Sequence, residues 1–257
     1  MKVRVVSFAR GGRWLVEGWR LFRVSPPVWL ALVIAYWVIM TVVSFIPFVG
    51  LAAATILIPA FSVGFMAASR SCDRRSALDL KLLFEGFRVR PAVQLILGTV
   101  YLALLATLVW ATTLVDDGAL ARWLLTGKRP DEEVLQSDAF LFALVLAAAL
   151  YLPIMMLFWF APVLGAWHAI GTGKALFFSF VASLMNWRAF LGYGLAATVV
   201  TVVIPFVALS ALLFLSDGKL KLGVMTLVFP LLLVLLPTLF ASFYASYRDV
   251  FDAETES

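Results

Sequence analysis

Charged residues are scarce in this chain: they make up 14% of its 257 residues, whereas 63% of the residues are hydrophobic. Soluble domains carry about 25% charged and about 45–50% apolar residues, so a soluble protein of this composition could not keep its surface in water. The composition therefore excludes a soluble enzyme. It predicts an all-α, polytopic membrane protein, because a transmembrane helix satisfies its own backbone hydrogen bonds.

Cysteine and histidine are nearly absent, since Cys72 and His168 are the single representatives of their types. One cysteine cannot form a disulfide within the chain, and a Cys/His metal site or a bis-histidine haem needs more ligands than these two residues. The sequence also lacks a Gly-rich phosphate loop and the motifs G-x-S-x-G and H-E-x-x-H. We therefore expect no catalytic residues, no metal and no cofactor, and we do not expect an enzyme.

Long uncharged runs are abundant, and crossing a bilayer takes about 20 apolar residues in a helix. Five such runs cover 24–69, 91–115, 139–173, 189–216 and 222–247. The first run contains Ile46-Pro47-Phe48-Val49-Gly50, and proline with glycine breaks a helix and permits a sharp turn. The sequence thus predicts one integral membrane domain with six spans in three helical hairpins, roughly 28–46, 49–69, 92–115, 139–167, 190–215 and 222–246.

Lysine and arginine are distributed unequally between the two sides that these spans define. With the N-terminus inside, the segments 1–27, 70–91, 168–189 and 247–257 hold 6, 6, 2 and 1 of them, which is 15 of the 20, and the outer segments hold 5. This asymmetry predicts that both termini are cytoplasmic. Basic residues beside apolar spans indicate anionic lipid rather than nucleic acid as the partner. Since no cleavable signal peptide is visible, we expect a multi-pass protein of the bacterial cytoplasmic (inner) membrane.

Three segments that precede the odd-numbered spans share one spacing of apolar residues. Each has apolar side chains at i, i+4 and i+7, which lie on one face of a helix, and each ends in an aromatic residue followed by arginine. The sets are Leu15, Trp19 and Phe22 with Arg23; Leu80, Phe84 and Phe87 with Arg88; and Phe180, Leu184 and Trp187 with Arg188. We expect each segment to form an amphipathic interfacial helix before a hairpin, which gives three parallel pseudo-repeats, 8–70, 76–174 and 175–248.

The even-numbered spans also share features. Arg70 follows Pro59 by eleven residues, and Arg248 follows Pro237 by eleven. Small residues recur at every fourth position, a pattern that lets helix backbones approach closely in a membrane. These are Ala60, Gly64 and Ala68; Ala161, Gly165 and Ala169; and Ala241 and Ala245.

Several short motifs resemble those of a family of uncharacterised bacterial inner-membrane proteins. They are Gly18-Trp19-x-Leu21-Phe22, Pro26 and Trp29, Ile46-Pro47-x-Val49-Gly50, and Pro59 with Gly64. The helix-plus-hairpin plan is also similar to the membrane domain of some glycerophosphodiester phosphodiesterases. Their catalytic domain has no counterpart in this sequence, so the resemblance implies an architecture but no reaction and no substrate.

Arginines at the predicted inner ends of the spans are the candidate contacts for a lipid headgroup or another anion. They are Arg23, Arg70, Arg88, Arg188 and Arg248. Each arginine could bind its own lipid phosphate, or several could converge on one anionic group if the three repeats pack around a common axis. The aromatic side chains near them are the expected interfacial anchors, namely Trp19, Phe22, Phe87 and Trp187.

Three other polar or aromatic residues have a structural and a functional interpretation. Trp123 lies in the largest outer segment, where we expect a short surface helix, and it is either an interface anchor or a partner contact. His168 is either a hydrogen-bonded interfacial residue or a pH-sensitive contact. Asn186 is expected to cap or turn the chain rather than to bind a ligand.

Ionisable residues are missing from the middle of every predicted span. Because proton and ion relays generally use such residues, secondary active transport is disfavoured. We expect a non-enzymatic accessory or scaffold protein that acts on a membrane-protein partner or on lipid. The alternative is a transporter or facilitator for a lipidic or small neutral substrate. A membrane enzyme ranks third, because only the arginines, His168 and scattered acids are available for acid–base chemistry.

Overall fold

The computed structural model describes residues 3–215 and 223–251, and the regular secondary structure of these residues is helical. Its helices are α1 (Phe8–Phe22), α2 (Pro26–Ser44), α3 (Gly50–Asp73), α4 (Glu85–Arg88), α5 (Pro91–Asp116), α6 (Ala119–Thr126), α7 (Glu132–Leu135), α8 (Asp138–Phe158), α9 (Ala161–Trp167), α10 (Thr172–Met185), α11 (Trp187–Thr198), α12 (Ile204–Leu215) and α13 (Gly223–Phe251). A 3₁₀ turn, Leu80–Phe84, precedes α4, and a π-helical turn, Val199–Val203, joins α11 to α12. The predicted all-α class is confirmed.

Five stretches of the described chain are long and apolar enough to cross a membrane. They are Pro26–Ser44, Gly50–Asp73, Pro91–Asp116, Asp138–Trp167 and Trp187–Val207, and they correspond to the first five predicted spans. The sixth predicted span, 222–246, coincides with α13, but residue 222 and most side chains between 223 and 232 lie outside the described residues. The sixth span, the third hairpin and the three pseudo-repeats therefore stay predictions.

The turn between α2 and α3 follows from the predicted proline–glycine signal. Phe48 has a φ of 66°, a left-handed value that is uncommon for a residue with a side chain. A Cβ atom at Gly50 would lie 2.4 Å from the carbonyl oxygen of Ser44 and 2.5 Å from that of Val43. The chain can therefore reverse this tightly only because residue 50 is glycine.

The fourth predicted span, 139–167, is not one helix, and this part of the prediction needs correction. Pro162 has no N–H, and its ring would clash with the carbonyl group four residues earlier, so α8 ends at Phe158 and α9 begins at Ala161. The Phe160 N–H donates to Ser179 Oγ of α10 at 2.9 Å, and Ser179 Oγ donates to the Met156 carbonyl at 2.8 Å. The serine hydroxyl thus replaces a backbone hydrogen bond at the break.

Helix α1 packs into the bundle rather than lying on it. A Cβ atom at Gly11 would come within 1.8 Å of the Ala189 carbonyl oxygen in α11, and one at Gly18 within 2.3 Å of the Thr238 carbonyl oxygen in α13. Trp14 is fully buried on the same face of α1. The interfacial helix predicted before the first span is therefore held by backbone-to-backbone contact at one end of the bundle.

The other two predicted interfacial helices bury different positions from those that the apolar spacing indicates. Between Leu80 and Arg88 the chain forms a 3₁₀ turn and a single α-turn, which points Leu83 into the core and leaves Leu80 and Phe84 exposed. In α10 the buried face is small and polar, including Ala175 and Ser179. The predicted apolar trios therefore do not occupy equivalent places in the structure.

Two of the predicted small-residue positions are used for packing inside the chain. A Cβ atom at Gly64 would lie 2.2 Å from the Leu83 carbonyl oxygen, and a Cβ atom at Gly86 would lie 2.2 Å from the Ala60 carbonyl oxygen. Helix α3 and the segment that carries α4 are therefore in direct backbone contact. Beside this contact Phe65 of α3 stacks on Phe240 of α13, with ring centroids 4.1 Å apart.

Candidate functional site

Charged side chains from the first and last helices meet at one end of the bundle, which we call the basic end. It is formed by α1 and by the last turns of α3 and α13. Arg10 donates to both carboxylate oxygens of Asp249, at 2.5 and 2.8 Å, and Arg248 donates to both oxygens of Asp73, at 2.9 and 2.8 Å. Glu17 joins the two pairs, because it accepts from Arg248 and lies 3.1 Å from Arg10.

The helical spacing of α1 explains how this network forms. Arg10, Trp14 and Glu17 are at i, i+4 and i+7 and therefore share one helix face, which packs against α13. The buried Trp14 indole N–H also donates to Asp249, at 2.8 Å. Asp249 thus accepts hydrogen bonds from a guanidinium and from an indole, which is how a poorly exposed carboxylate remains stable.

Both arginines of the network are held in the charged form. The hydrogen bond to Asp249 raises the pKa of the Arg10 guanidinium above its ordinary value. Burial alone would lower the pKa of Arg248, but the hydrogen bonds and charge of Asp73, together with Glu17 and Asp249, raise it overall. The basic end therefore keeps these positive charges at any physiological pH.

An extended segment, residues 3–7, precedes α1 and runs across the basic end. The Arg4 N–H donates to the Val250 carbonyl at 2.8 Å, and the Val6 N–H donates to Asn186 Oδ1 at the same distance. The buried Asn186 amide donates in return to the Arg4 carbonyl at 2.9 Å. Asn186 ends α10 and precedes α11, as expected of a residue that turns the chain, and it also fixes this segment in place.

A depression of about 730 Å³ opens at the basic end. Its charged lining residues are Arg4, Arg10, Asp73, Arg74, Arg248 and Asp249. Arg20, 3.6 Å from Asp73, and Glu17 complete the charged surroundings. Among the described residues, four arginines and two carboxylates thus line the depression.

The five arginines singled out in the sequence have different environments. Arg248 is part of the network. The guanidinium of Arg70 lies 4.0 Å from the centre of the Trp167 ring and 4.0 Å from Glu85. Arg23, Arg88 and Arg188 are exposed, so these three are accessible to a headgroup.

The four predicted interfacial anchors also differ in how exposed their side chains are. Trp19 and Trp187 are 40% and 55% exposed, and each has the guanidinium of the predicted arginine within 6 Å of its ring, at 5.8 and 5.5 Å. Phe22 is only 4% exposed and lies in the core, which leaves its ring no contact with lipid headgroups, contrary to the anchor role. Phe87 is half-buried and packs edge-on against Phe61 at 5.0 Å.

Trp123 and His168 have partners inside the protein. The Trp123 ring lies 6.1 Å from that of Phe140 and is 36% exposed on the short helix α6, which forms where a surface helix was predicted. His168 Nε2 is hydrogen-bonded to the Tyr247 hydroxyl at 2.8 Å. The hydrogen bond of His168 supports its structural interpretation, whereas the partner-contact role of Trp123 stays a prediction.

Two residues that sequence reasoning overlooked hold α9 in place. Gln94, buried in α5, donates to the Pro162 carbonyl at 3.0 Å, and its Oε1 atom has no hydrogen-bond partner among the described residues. Arg90 donates to the carbonyls of Gly165 and Ile170, at 3.2 and 2.7 Å. A glutamine near the end of an apolar run was the available signal, since a buried amide needs a partner.

A second cavity, of about 220 Å³, lies within the apolar part of the bundle among α3, α5, α8, α9 and α13. Its lining is mostly apolar and includes Pro59, Phe158 and Phe243, while Ser62, Tyr101 and Tyr151 contribute hydroxyl groups. Within the described part of the chain, no three His, Cys, Asp or Glu side chains are grouped so that they could hold a metal ion.

Comparison with known proteins gives one informative relative. The chain is 36% identical, over 260 aligned positions, to a protein of Burkholderia thailandensis named "Probable inner membrane protein". The alignment covers 99% of this chain and 95% of that protein. No family model matches the chain, and no solved structure matches it.

Proposed function

Because the chain belongs to the family of the probable inner membrane protein of Burkholderia thailandensis, it is an inner-membrane protein, and we propose that it is a non-enzymatic accessory or scaffold protein. In this proposal it acts on a partner complex or on lipid. Its six spans form three hairpins with both termini in the cytoplasm, so the basic end faces the cytoplasm. The similarity to the membrane domain of some glycerophosphodiester phosphodiesterases extends to this plan alone.

The distribution of polar groups in the spans is the observation that carries the proposal. Among the described residues of the five apolar stretches, every Asp, Glu, Lys and Arg lies within four residues of a helix end. Several hydroxyls within the spans donate to a carbonyl of their own helix, as Thr99 does to Leu95 and Thr107 to Ala103, both at 2.9 Å. Such bonds leave little chemistry for acid–base catalysis or ion coupling.

Lipid contact is supported by the three exposed arginines, Arg23, Arg88 and Arg188. Two of them lie beside an exposed tryptophan, and this pairing suits the headgroup region, where an indole and a guanidinium reach different depths. Basic residues at an anionic leaflet contribute about 1 kcal/mol each to membrane binding.

The test is gentle extraction into native-lipid particles, followed by mass spectrometry of everything that is recovered with the protein. A protein at fixed stoichiometry is the expected result for an accessory role, and Trp123→Ala should reduce its amount if α6 is the contact. Recovery of lipid alone, or of one strongly enriched lipid, would contradict the partner-complex form of the proposal. Arg88→Ala and Arg188→Ala should then impair function while the folded amount stays unchanged.

The second candidate function is a facilitator for a lipidic or small neutral substrate. The lining of the second cavity favours it, because a mostly apolar surface with a few hydroxyl groups, between helices of a bundle, is typical of a small-ligand site. The volume of about 220 Å³ is below the usual range of about 300–1,000 Å³, so the substrate would be small. Filling the cavity with Ser62→Phe should abolish flux of such a substrate in proteoliposomes. An accessory protein should retain its partner in the same variant.

A further inference from the structure

We propose that the second cavity binds one uncharged molecule of about the size of a single aromatic ring, and that a hydroxyl group on this molecule hydrogen-bonds to Ser62. This inference names the substrate class of the second candidate function, a facilitator, and it rests on that candidate for the step from binding to transport. The residues that line the cavity all belong to the described part of the chain.

The Ser62 hydroxyl is the first argument. Several hydroxyl groups in the spans donate to a carbonyl of their own helix, as Thr55 of α3 does to Leu51 at 2.8 Å. Ser62 lies seven residues further along α3 and lines the cavity, but its hydroxyl has no hydrogen-bond partner within the described part of the chain. A hydroxyl group in an apolar region is costly without a partner, so this position favours a ligand that offers one.

The break between α8 and α9 supplies further polar groups. Phe158 and Pro162 both line the cavity, and Pro162 has no N–H to donate to the Phe158 carbonyl, its usual helical acceptor. The hydroxyl groups of Tyr101 and Tyr151 also lie at the wall and interact with each other. The cavity thus has hydroxyl groups at its wall and a carbonyl acceptor beside it, and none of its lining residues is charged. An uncharged ligand with a hydroxyl group matches this set, whereas a plain hydrocarbon chain leaves it unpaired.

Size and depth are the third argument. The volume is about 220 Å³, and an engineered protein cavity of about 150 Å³ binds benzene. Aromatic walls, among them Phe158, Trp159 and Phe243, suit a ring in edge-to-face contact. Tyr101 lies ten residues into α5, or about 15 Å along a helix, which is near the middle of a hydrocarbon core about 30 Å thick. Tyr151 lines the cavity and is 43% exposed within a membrane span, so a ligand can reach the cavity from the lipid.

The experiment uses the full-length protein in lipid nanodiscs. Fluorine-19 NMR titrations measure saturable binding of two probes, 4-fluorophenol and 4-fluorotoluene, with protein-free nanodiscs as the reference. The two probes have nearly the same shape, but only the phenol carries a hydroxyl group, and it is uncharged at neutral pH. The test variant is Ser62→Ala. The matched control is Thr55→Ala, which removes a hydroxyl group from the same helix outside the cavity.

Ser62→Ala should bind 4-fluorophenol about fivefold more weakly, because one hydrogen bond is lost, and 4-fluorotoluene within about twofold of the unmodified protein. Thr55→Ala should bind both probes within about twofold, and Ser62→Phe, which fills the cavity, should bind neither. No saturable binding of 4-fluorophenol, or an equal effect of Ser62→Ala on the two probes, would overturn the proposal. If Ser62→Phe does not fold, the comparison of Ser62→Ala with Thr55→Ala decides the proposal alone.

Binding and transport are measured separately, so the site and the facilitator can fail independently. Fluorine-19 exchange NMR measures the rate at which 4-fluorophenol crosses the bilayer of liposomes with and without the protein. Equal rates together with binding that requires Ser62 would confirm the site and contradict the facilitator. Absence of saturable binding would overturn the site whatever the exchange rates are.

Discussion

The serine that bridges the broken fourth span offers a sharp test of the fold. Ser179 is fully buried, and its hydroxyl joins the Phe160 N–H to the Met156 carbonyl at 2.9 and 2.8 Å. In Ser179→Ala the buried N–H has no acceptor in this arrangement, while the carbonyl keeps a longer contact with Ser183 at 3.4 Å. An unsatisfied buried donor costs about 1–3 kcal/mol in soluble proteins, and hydrogen bonds between membrane helices average about 0.6 with a maximum near 1.7 kcal/mol.

We therefore expect Ser179→Ala to lower the free energy of unfolding by about 1–2 kcal/mol, measured by reversible denaturation in mixed micelles. The matched control is Ser69→Ala, because Ser69 is equally buried but its hydroxyl only donates to the Phe65 carbonyl of its own helix, at 2.8 Å. The control should stay within about 0.5 kcal/mol of the unmodified protein, as its backbone bonds are retained. Equal effects of the two substitutions would refute the idea that Ser179 repairs the break at Pro162.

Three further predictions concern packing, the ion-pair network and orientation. Gly64→Ala should lower the free energy of unfolding by about 1–3 kcal/mol, since its Cβ would lie 2.2 Å from a backbone carbonyl oxygen, whereas Gly173→Ala, with no atom within 4 Å, should not. Asp249→Ala should lower the free energy of unfolding by about 1–3 kcal/mol in the same assay, because the buried Trp14 indole and the Arg10 guanidinium both lose their acceptor. An unchanged free energy of unfolding would show that the ion-pair network is dispensable for stability. In a cysteine-free background, an impermeant maleimide added to spheroplasts should label Arg129→Cys but not Arg88→Cys, and the reverse pattern would contradict cytoplasmic termini.

The boundaries of the membrane helices were largely predictable, because they depend on local signals. An uncharged run of about 20 residues and a proline three positions before a glycine are both visible in a short stretch of sequence, and the turn between α2 and α3 lies where they predict it. The break before Pro162 is predictable in principle, since proline interrupts a helix, but the sequence does not show which residue replaces the lost hydrogen bond. Ser179 is 19 residues from Phe160, on another helix.

The candidate site was much less predictable, because it depends on contacts between distant residues. Arg10 and Asp249 are 239 positions apart, and nothing in either local sequence indicates that they pair. Sequence reasoning selected arginines by their place before or after a span, which found Arg248 but not Arg4 or Arg74. The burial of Phe22 and the partial burial of Phe87 were not predicted for a similar reason. The apolar spacing identifies a helix face, but it does not show what that face packs against.

The two arginines that follow a span proline by eleven residues link the predicted repeats to the structure. Arg70 and Arg248 both lie in the last turn of a long helix. Each is within 4.0 Å of a carboxylate from outside its own helix, which is Glu85 for Arg70, and Asp73 and Glu17 for Arg248. The two arginines thus have similar places near a helix end but different partners, and Arg248 is the one of the two that lines the charged depression. That depression is lined by residues 4–10, the end of α3 and the end of α13, which are far apart in the sequence. An isolated hairpin should therefore lack this depression even if it inserts into a membrane.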